Sequence, residues 1–409
     1  MTDSPTRASA EPASPAPGRA NRTLAVLFGG MFVMGSVELL VVGMLDLIAA
    51  DLRVPVATAG ALVTAYALGL AVGGPVLTAL TVRLGRRTVL VGALALFALA
   101  NLAAVLTTGF GLLLATRVLA GAVQGVFIAA AFATGTAAVP PERAGRAISV
   151  AISGVAVSGA VGVPVGTLLG QLLGWRGSFT AVVVLAALAL VAALALVPAV
   201  PGTTAGVGDQ ARHAFAPRVL AVLALHVLVF AAVYAALTYV VPFLNTVTGV
   251  SGPLVSVFLL AYGAATAVGS FGGGRFADRD AARTLVVATT GTALCLLALY
   301  LVGSVPVLVA LVLLALGLVA MGMTPSLQYR VVSLAGPGGG LAQSLPASAV
   351  NIGIAVGSSA GGVAIAGSTA SAAVLTGLGL AVVAVPVAWA TSKLQPPSTD
   401  PRDHPANPG

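Results

Sequence analysis

Long apolar runs separated by short polar gaps fill almost the whole chain. Windows of about 20 apolar residues, the length a helix needs to cross a bilayer core, fall near 23–46, 56–80, 88–107, 110–137, 147–173, 178–197, 218–245, 253–274, 284–303, 306–329, 341–366 and 370–391. No stretch alternates apolar and polar positions as a membrane-barrel strand does. The pattern therefore predicts an all-α integral membrane protein with twelve transmembrane helices. The longest internal gap, PAVPGTTAGVGDQARHAFAP, divides them six and six. The expected organisation is an N-terminal six-helix bundle at 23–197, a cytoplasmic linker at 198–217 and a C-terminal bundle at 218–391. Residues 1–22 are rich in Pro, Ser and Ala without a periodic apolar face and read as a disordered cytoplasmic tail; 392–409 read as a second cytoplasmic tail. Because more spans follow, the run after Arg22 reads as a retained first helix and not a cleaved signal peptide.

Composition narrows the picture. Of 409 residues, 58% are hydrophobic and 7% charged, with a mean hydropathy of +1.07, which excludes a soluble domain of this size. The 19 Lys+Arg outnumber the 11 Asp+Glu, but the arginines sit in gaps between apolar runs. That suits orientation in a bilayer and not a nucleic-acid face. With the N-terminus inside, Arg53 and Arg176 face outside, Arg117 lies within a helix, and the other basic residues are cytoplasmic. Both termini are therefore expected inside a cell membrane crossed many times. The single cysteine, Cys295, offers no disulfide framework or thiolate metal cluster within the chain. No cofactor and no metal are expected.

The halves read as parallel copies. Arg83 and Arg279 are 196 positions apart, and Gly162 and Gly166 precede Gly357 and Gly361 by 195 each. Two six-helix repeats related by an axis along the membrane normal form a transporter architecture, with substrate bound between them near the midplane.

Several local patterns carry possible chemistry. The loop LTALTVRLGRRTVL holds Arg83, Gly85, Arg86 and Arg87; its later counterpart GGGRFADRDAARTL holds Asp278, Arg279 and Arg283. Such charges either anchor the hairpin on the inside or bond neighbouring helix ends in one transport state and release them in the other. In RVLAGAVQG, Arg117, Gly121, Gln124 and Gly125 share a helical face. An arginine inside a span faces a cavity or partner, unless it snorkels to the outer interface. The fifth span, with Gly154, Gly159, Gly162, Pro164, Gly166 and Gly170, permits close helix contact and predicts a bend at Pro164. Glu38 stands alone in the run MFVMGSVELLVVGM, at a depth close to that of Arg117. The second half has Val233 and Val312 at positions 195 later.

These motifs resemble the twelve-helix drug–proton antiporters of the major facilitator superfamily, and within them the branch of chloramphenicol-resistance and arabinose-efflux proteins. The likeness rests on R-x-G-R-R at Arg83 to Arg87, R-x-x-x-G at Arg117 and Gly121, G-V-P-x-G-T from Gly162 to Thr167, and ELLVVGMLDLIAADL from Glu38 to Leu52. It implies that the first and fourth helices border one cavity, and that the fifth-helix stretch belongs to an antiporter. Two positions depart from the pattern: Val82 stands where the loop usually has Asp, and Asp46 where the branch commonly has Pro.

The expected function is proton-coupled export of a small amphipathic compound, such as a chloramphenicol-like drug or related metabolite, by a monomer. Glu38, Arg117 and Asp46 are the candidates for proton coupling. Gln124, Tyr234, Thr238, Asn245, Met321 and Thr324 are the candidates for the substrate cavity. A stripe of His226, Phe230, Tyr234, Thr238 and Asn245 is either pocket lining or ordinary packing. A sugar or metabolite carrier of the same superfamily is the alternative. An enzyme would need a cluster of His, Asp or Cys near one interface, and no catalytic set of that kind is present. The absence of G-x-x-x-x-G-K-[ST] points to an ion gradient as the energy source.

Overall fold

A computed structural model of the chain describes residues 17–81, 83–140, 143–198, 215–336, 342 and 345–396. Val82, most of the linker and most of both tails lie outside the described residues. Among those described, regular structure is entirely helical. Ten helices are long and apolar enough to cross a bilayer: Gly18–Gly43, Val56–Thr81, Arg86–Leu106, Phe110–Ala137, Ala147–Leu196, Pro217–Leu237, Pro253–Leu301, Pro306–Ala335, Leu345–Ala366 and Ser371–Ser392.

Two of these, of 50 and 49 residues, would each be about 75 Å long if straight, more than twice a bilayer core. Each contains one non-helical residue, Gly174 (φ 76°, ψ 161°) and Asp280 (φ −160°, ψ 90°). The chain reverses there. Ser178 Oγ donates to Gly166 O at 2.6 Å across the first break, and Thr284 Oγ1 to Phe276 O at 3.1 Å across the second. Neither bond exists in a straight helix with a 1.5 Å rise per residue. Divided at these points, the ten helices become twelve spans, numbered below in chain order.

The first helix is already formed at Pro17, ahead of the apolar run, with Arg19, Ala20 and Arg22 inside it. It ends earlier than the hydrophobic pattern suggests, at Gly43. Met44 leaves helical geometry (φ −129°, ψ 18°), and a separate short helix, Leu45–Leu52, carries Asp46. The bend expected at Pro164 takes the form of a π-helical turn, Ser158–Gly162, just before the proline.

Glycine rows draw the spans together in the same way in each half. A Cβ at Gly162 or Gly166 would run into Ser36 or Leu40 of the first span; at Gly357 or Gly361 it would run into Ala231 or Ala235 of the seventh. Both members of each pair are offset by 195. Gly121 lies against Tyr66 O, and Gly317 against Tyr262 O, both offset by 196. The repeat read from sequence is thus a repeat of contacts. It also aligns Arg117 with Leu313 and not with Val312, because the second-to-fourth-span contacts follow the 196 offset.

The described side-chain hydrogen bonds between the halves lie on the second and eleventh spans and at the end of the molecule that carries Leu45–Leu52. Asn245 Nδ2 donates to Asp46 Oδ2 at 2.6 Å, and Thr64 Oγ1 pairs with Ser358 Oγ at 2.7 Å and Ser359 Oγ at 3.1 Å.

Candidate functional site

Glu38, Tyr66, Arg117 and Gln124, from the first, second and fourth spans, form one connected cluster. Close approach at Gly121 lets the second span settle on the fourth, which places the Tyr66 ring beneath the Arg117 guanidinium, 4.1 Å from centroid to Cζ. The Tyr66 hydroxyl donates to Gln124 Oε1. With its oxygen committed, the Gln124 amide turns Nε2 to Glu38 Oε2, 3.0 Å away. Arg117, Tyr66 and Gln124 are sealed, at 1%, 1% and 2% exposure; Glu38 is only half-buried. The carboxylate is therefore the open end of an otherwise enclosed network.

Arg117 does not pair with Glu38 directly. It donates to Val37 O (3.2 Å), Glu38 O (3.4 Å) and Leu62 O (3.5 Å), and its Nη1 has no hydrogen-bond partner. Backbone carbonyls and an aromatic face thus take the place of a counter-ion, and Gln124 mediates between base and acid. Tyr66 escaped the sequence reading, because a lone tyrosine in an apolar run carries no motif. Its repeat partner Tyr262 was the available signal.

The remaining candidates separate. Asp46 lies beyond the break at Met44 and is held by Asn245. Their bond fastens the halves and places neither residue among the Glu38 partners, because the end of the first span at Gly43 carries Asp46 onto its own helix. Tyr234 stacks on Phe230 (6.4 Å, 25°) and lies within electrostatic range of Glu38. The hydroxyls of Thr238 and Thr324 are buried without hydrogen-bond partners, and Met321 is half-buried. His226 is fully buried, with Nδ1 3.0 Å from Val222 O and Nε2 without a hydrogen-bond partner. Cavities of about 670 and 330 Å³ lie on the eighth to tenth spans, away from these side chains.

At the hairpin end, Arg86 donates to Ala133 O and Arg87 to Leu194 O, so both guanidiniums hold neighbouring helix ends. Gly85 caps the third span at φ −58°, a conformation open to other residues. Arg83, Asp278 and Arg279 have no side-chain hydrogen bond or ion pair among the described residues.

At the opposite end Asp51 accepts from Trp175 Nε1 (3.1 Å) and Arg176 Nη1 (2.5 Å), and Arg176 also donates to Thr107 O (3.0 Å). The Arg176 guanidinium beside Asp51 holds its carboxyl below the usual aspartate range. This is the one ion pair within 4.0 Å among the described residues, which contain no group of three side chains suited to a metal.

The family model described as Major Facilitator Superfamily matches residues 26–339. A chloramphenicol resistance protein of Streptomyces lividans is 35% identical over 329 residues, 79% of this chain and 84% of its own. An uncharacterised MFS-type transporter of Bacillus subtilis, YtbD, is 34% identical over 338 residues, 81% and 85% of the two chains. Among solved structures, a bacterial homologue of the human lysosomal transporter Spinster, inward-facing and occupied, aligns with a TM-score of 0.75 at 16% identity. That alignment covers 92% of this chain and 97% of the other, and shares the fold. The chain belongs to the major facilitator superfamily and is a multi-pass membrane transporter.

Proposed function

We propose that this transporter exports a small amphipathic compound, an antibiotic of the chloramphenicol type or a related metabolite, in exchange for protons. The observation that carries this reading is the half-open Glu38 carboxylate on a sealed Gln124–Tyr66–Arg117 support. An ionised group at mid-membrane costs roughly 2.5–3.5 kcal/mol on insertion scales, so an acid kept there has a task. Burial and a neighbouring guanidinium act on a carboxyl in opposite directions. A change in which side the cavity faces shifts that balance, and with it proton occupancy. The relative named for chloramphenicol resistance supports the substrate class. A sugar carrier needs many hydrogen bonds to its cargo, and aromatics are only 5% of this chain.

The test is a drug-susceptibility panel in a pump-deficient host, with and without an uncoupler. Protection that disappears with the uncoupler is expected; protection that survives it removes proton coupling. The reading also takes both termini as cytoplasmic and Leu45–Leu52 as outside. In a background where Cys295 is replaced by serine, a cysteine at Thr108 is expected to react with an impermeant thiol reagent from outside, and one at Gly208 is not. The reverse pattern inverts the topology.

A further inference from the structure

The hairpin end of the second half differs from its first-half copy. A cavity of about 670 Å³ lies along the eighth, ninth and tenth spans, with Gly272, Gly273, Gly291 and Gly322 in its wall and Arg279, Asp280 and Arg283 at its charged end. At the positions 196 earlier the first half has Val76, Leu77, Ala95 and Val126. Gly272 thus leaves open the space that the Val76 side chain takes in the copy, while Gly273 lets the eighth span approach Gly322 O of the tenth. A Cβ at Gly272 would meet nothing within 4 Å. The flanking Phe276 and Val287 are 57% and 63% exposed, so the groove opens sideways, on the surface a bilayer covers.

The rim is basic and uncommitted. The guanidiniums of Arg279 and Arg283 have no hydrogen bond and no carboxylate within 4.0 Å among the described residues. Asp280, on the same rim, instead accepts the backbone N–H of Arg283 at 2.9 Å. In the first half Arg87, the copy of Arg283, commits its guanidinium to Leu194 O. Across 275–283 three arginines face two aspartates, which leaves one net positive charge.

We propose that this groove binds one anionic phospholipid, with an acyl chain along the Gly272–Gly291 track and the phosphate between Arg279 and Arg283. Basic pockets between transmembrane helices hold anionic headgroups, and each arginine near the surface attracts a phosphate. A zwitterionic headgroup brings its own cation and gains less. Every lining residue belongs to the second half, so the groove is not assembled or opened when the halves move. Its occupant is a resident ligand and not cargo.

The full-length protein, delipidated in detergent, is titrated with phosphatidylglycerol and with phosphatidylcholine, and bound lipid is counted by native mass spectrometry. Wild type is expected to hold one phosphatidylglycerol about tenfold more tightly than phosphatidylcholine. Changing Arg279 and Arg283 together to Gln removes the preference. Gly272→Leu loses both lipids from this site while lipid-free thermal unfolding stays as in wild type, since the added side chain enters open space. Equal affinity of wild type for the two lipids overturns the proposal. So does unchanged phosphatidylglycerol binding in both variants, or inorganic phosphate binding as tightly as the lipid.

Discussion

Glu38, Tyr66, Arg117 and Gln124 in the first half correspond to Val233, Tyr262, Leu313 and Ala320 in the second. Around these positions the two halves pack alike: the fifth span closes on the first as the eleventh closes on the seventh, and the fourth meets the second as the tenth meets the eighth. Packing has therefore kept its symmetry while polar chemistry has not. A scaffold repeated twice needs matching small residues at each crossing, because bulk there separates helices that approach closely. A proton site needs only one half, and a second buried carboxyl would add a desolvation cost with nothing to offset it. Under the proposed function, the asymmetry assigns proton coupling to the first half and leaves the second half to face it with Tyr234 and other neutral side chains.

The largest effect expected from this contrast is at Glu38. Glu38→Gln is expected to fold, insert and bind substrate but to lose gradient-driven transport, and Glu38→Asp to retain part of it, measured as drug-coupled proton flux in proteoliposomes. The sharper version moves the acid across the repeat. Glu38→Val combined with Val233→Glu restores nothing, because Leu313 and Ala320 supply neither a guanidinium nor an amide. Recovery in that double variant would show that position along the span suffices without the Gln124–Tyr66–Arg117 support.

The symmetric crossings give the next effect. Gly162→Leu is expected to abolish transport with the protein still in the membrane. For alanine the halves part company. A Cβ at Gly162 meets the Ser36 hydroxyl, which can rotate away, whereas at Gly357 it meets the backbone of Ala231, which cannot. Gly357→Ala is expected to cost about 1–3 kcal/mol, and Gly162→Ala less, read from thermal unfolding in detergent. Equal losses would mean that Ser36 is as fixed as backbone.

The twelve spans and the repeat were legible because bilayer length and close helix approach write long, redundant signals into the chain: apolar runs, and glycines at one constant offset. Single contacts leave no such trace. Glu38 and Arg117 stood out as charges in apolar surroundings, but that Gln124 mediates between them follows from an amide orientation set by Tyr66. Asp46 stood out only as an acid where the branch commonly has Pro; the break at Met44, which sets it on its own helix against Asn245 of the other half, left no mark that single residues could show. Local pattern also gave no hint of the groove at Gly272, which becomes visible only when each glycine is compared with its copy.

Tyr66 and Tyr262 offer a finer test, since they are repeat partners with unequal surroundings. Tyr66→Phe removes the donor that orients the Gln124 amide, a loss of about 1 kcal/mol. It is expected to change the pH profile of transport without changing substrate affinity. No hydrogen bond of the Tyr262 hydroxyl is described, and Tyr262→Phe is expected to leave the pH profile in place. Matching shifts in both variants would break the assignment of Tyr66 as the positioning residue for Gln124.

The smallest effect concerns the clamp at the other end of the first half, where Asp51 holds Trp175 and Arg176 beside the reversal at Gly174. The corresponding positions 195 later are Thr246, Ala370 and Ser371, so the second half has no such pair. The Arg176 bond keeps the Asp51 carboxyl below its unfolded value; burial opposes it, and the Trp175 bond adds a smaller lowering effect. A carboxyl depressed in the folded state stabilises it above the unfolded pKa, and that contribution is lost as pH falls through the lower folded value. Both partners are substantially exposed, at 34% and 42%, and exposed ion pairs contribute about 0–1 kcal/mol. Asp51→Asn is therefore expected to lower thermal stability slightly near pH 7, and the difference from wild type is expected to vanish as the medium is acidified below the aspartate range. A difference that persists in acid would assign the stabilisation to the Trp175 hydrogen bond and not to the charge on Asp51.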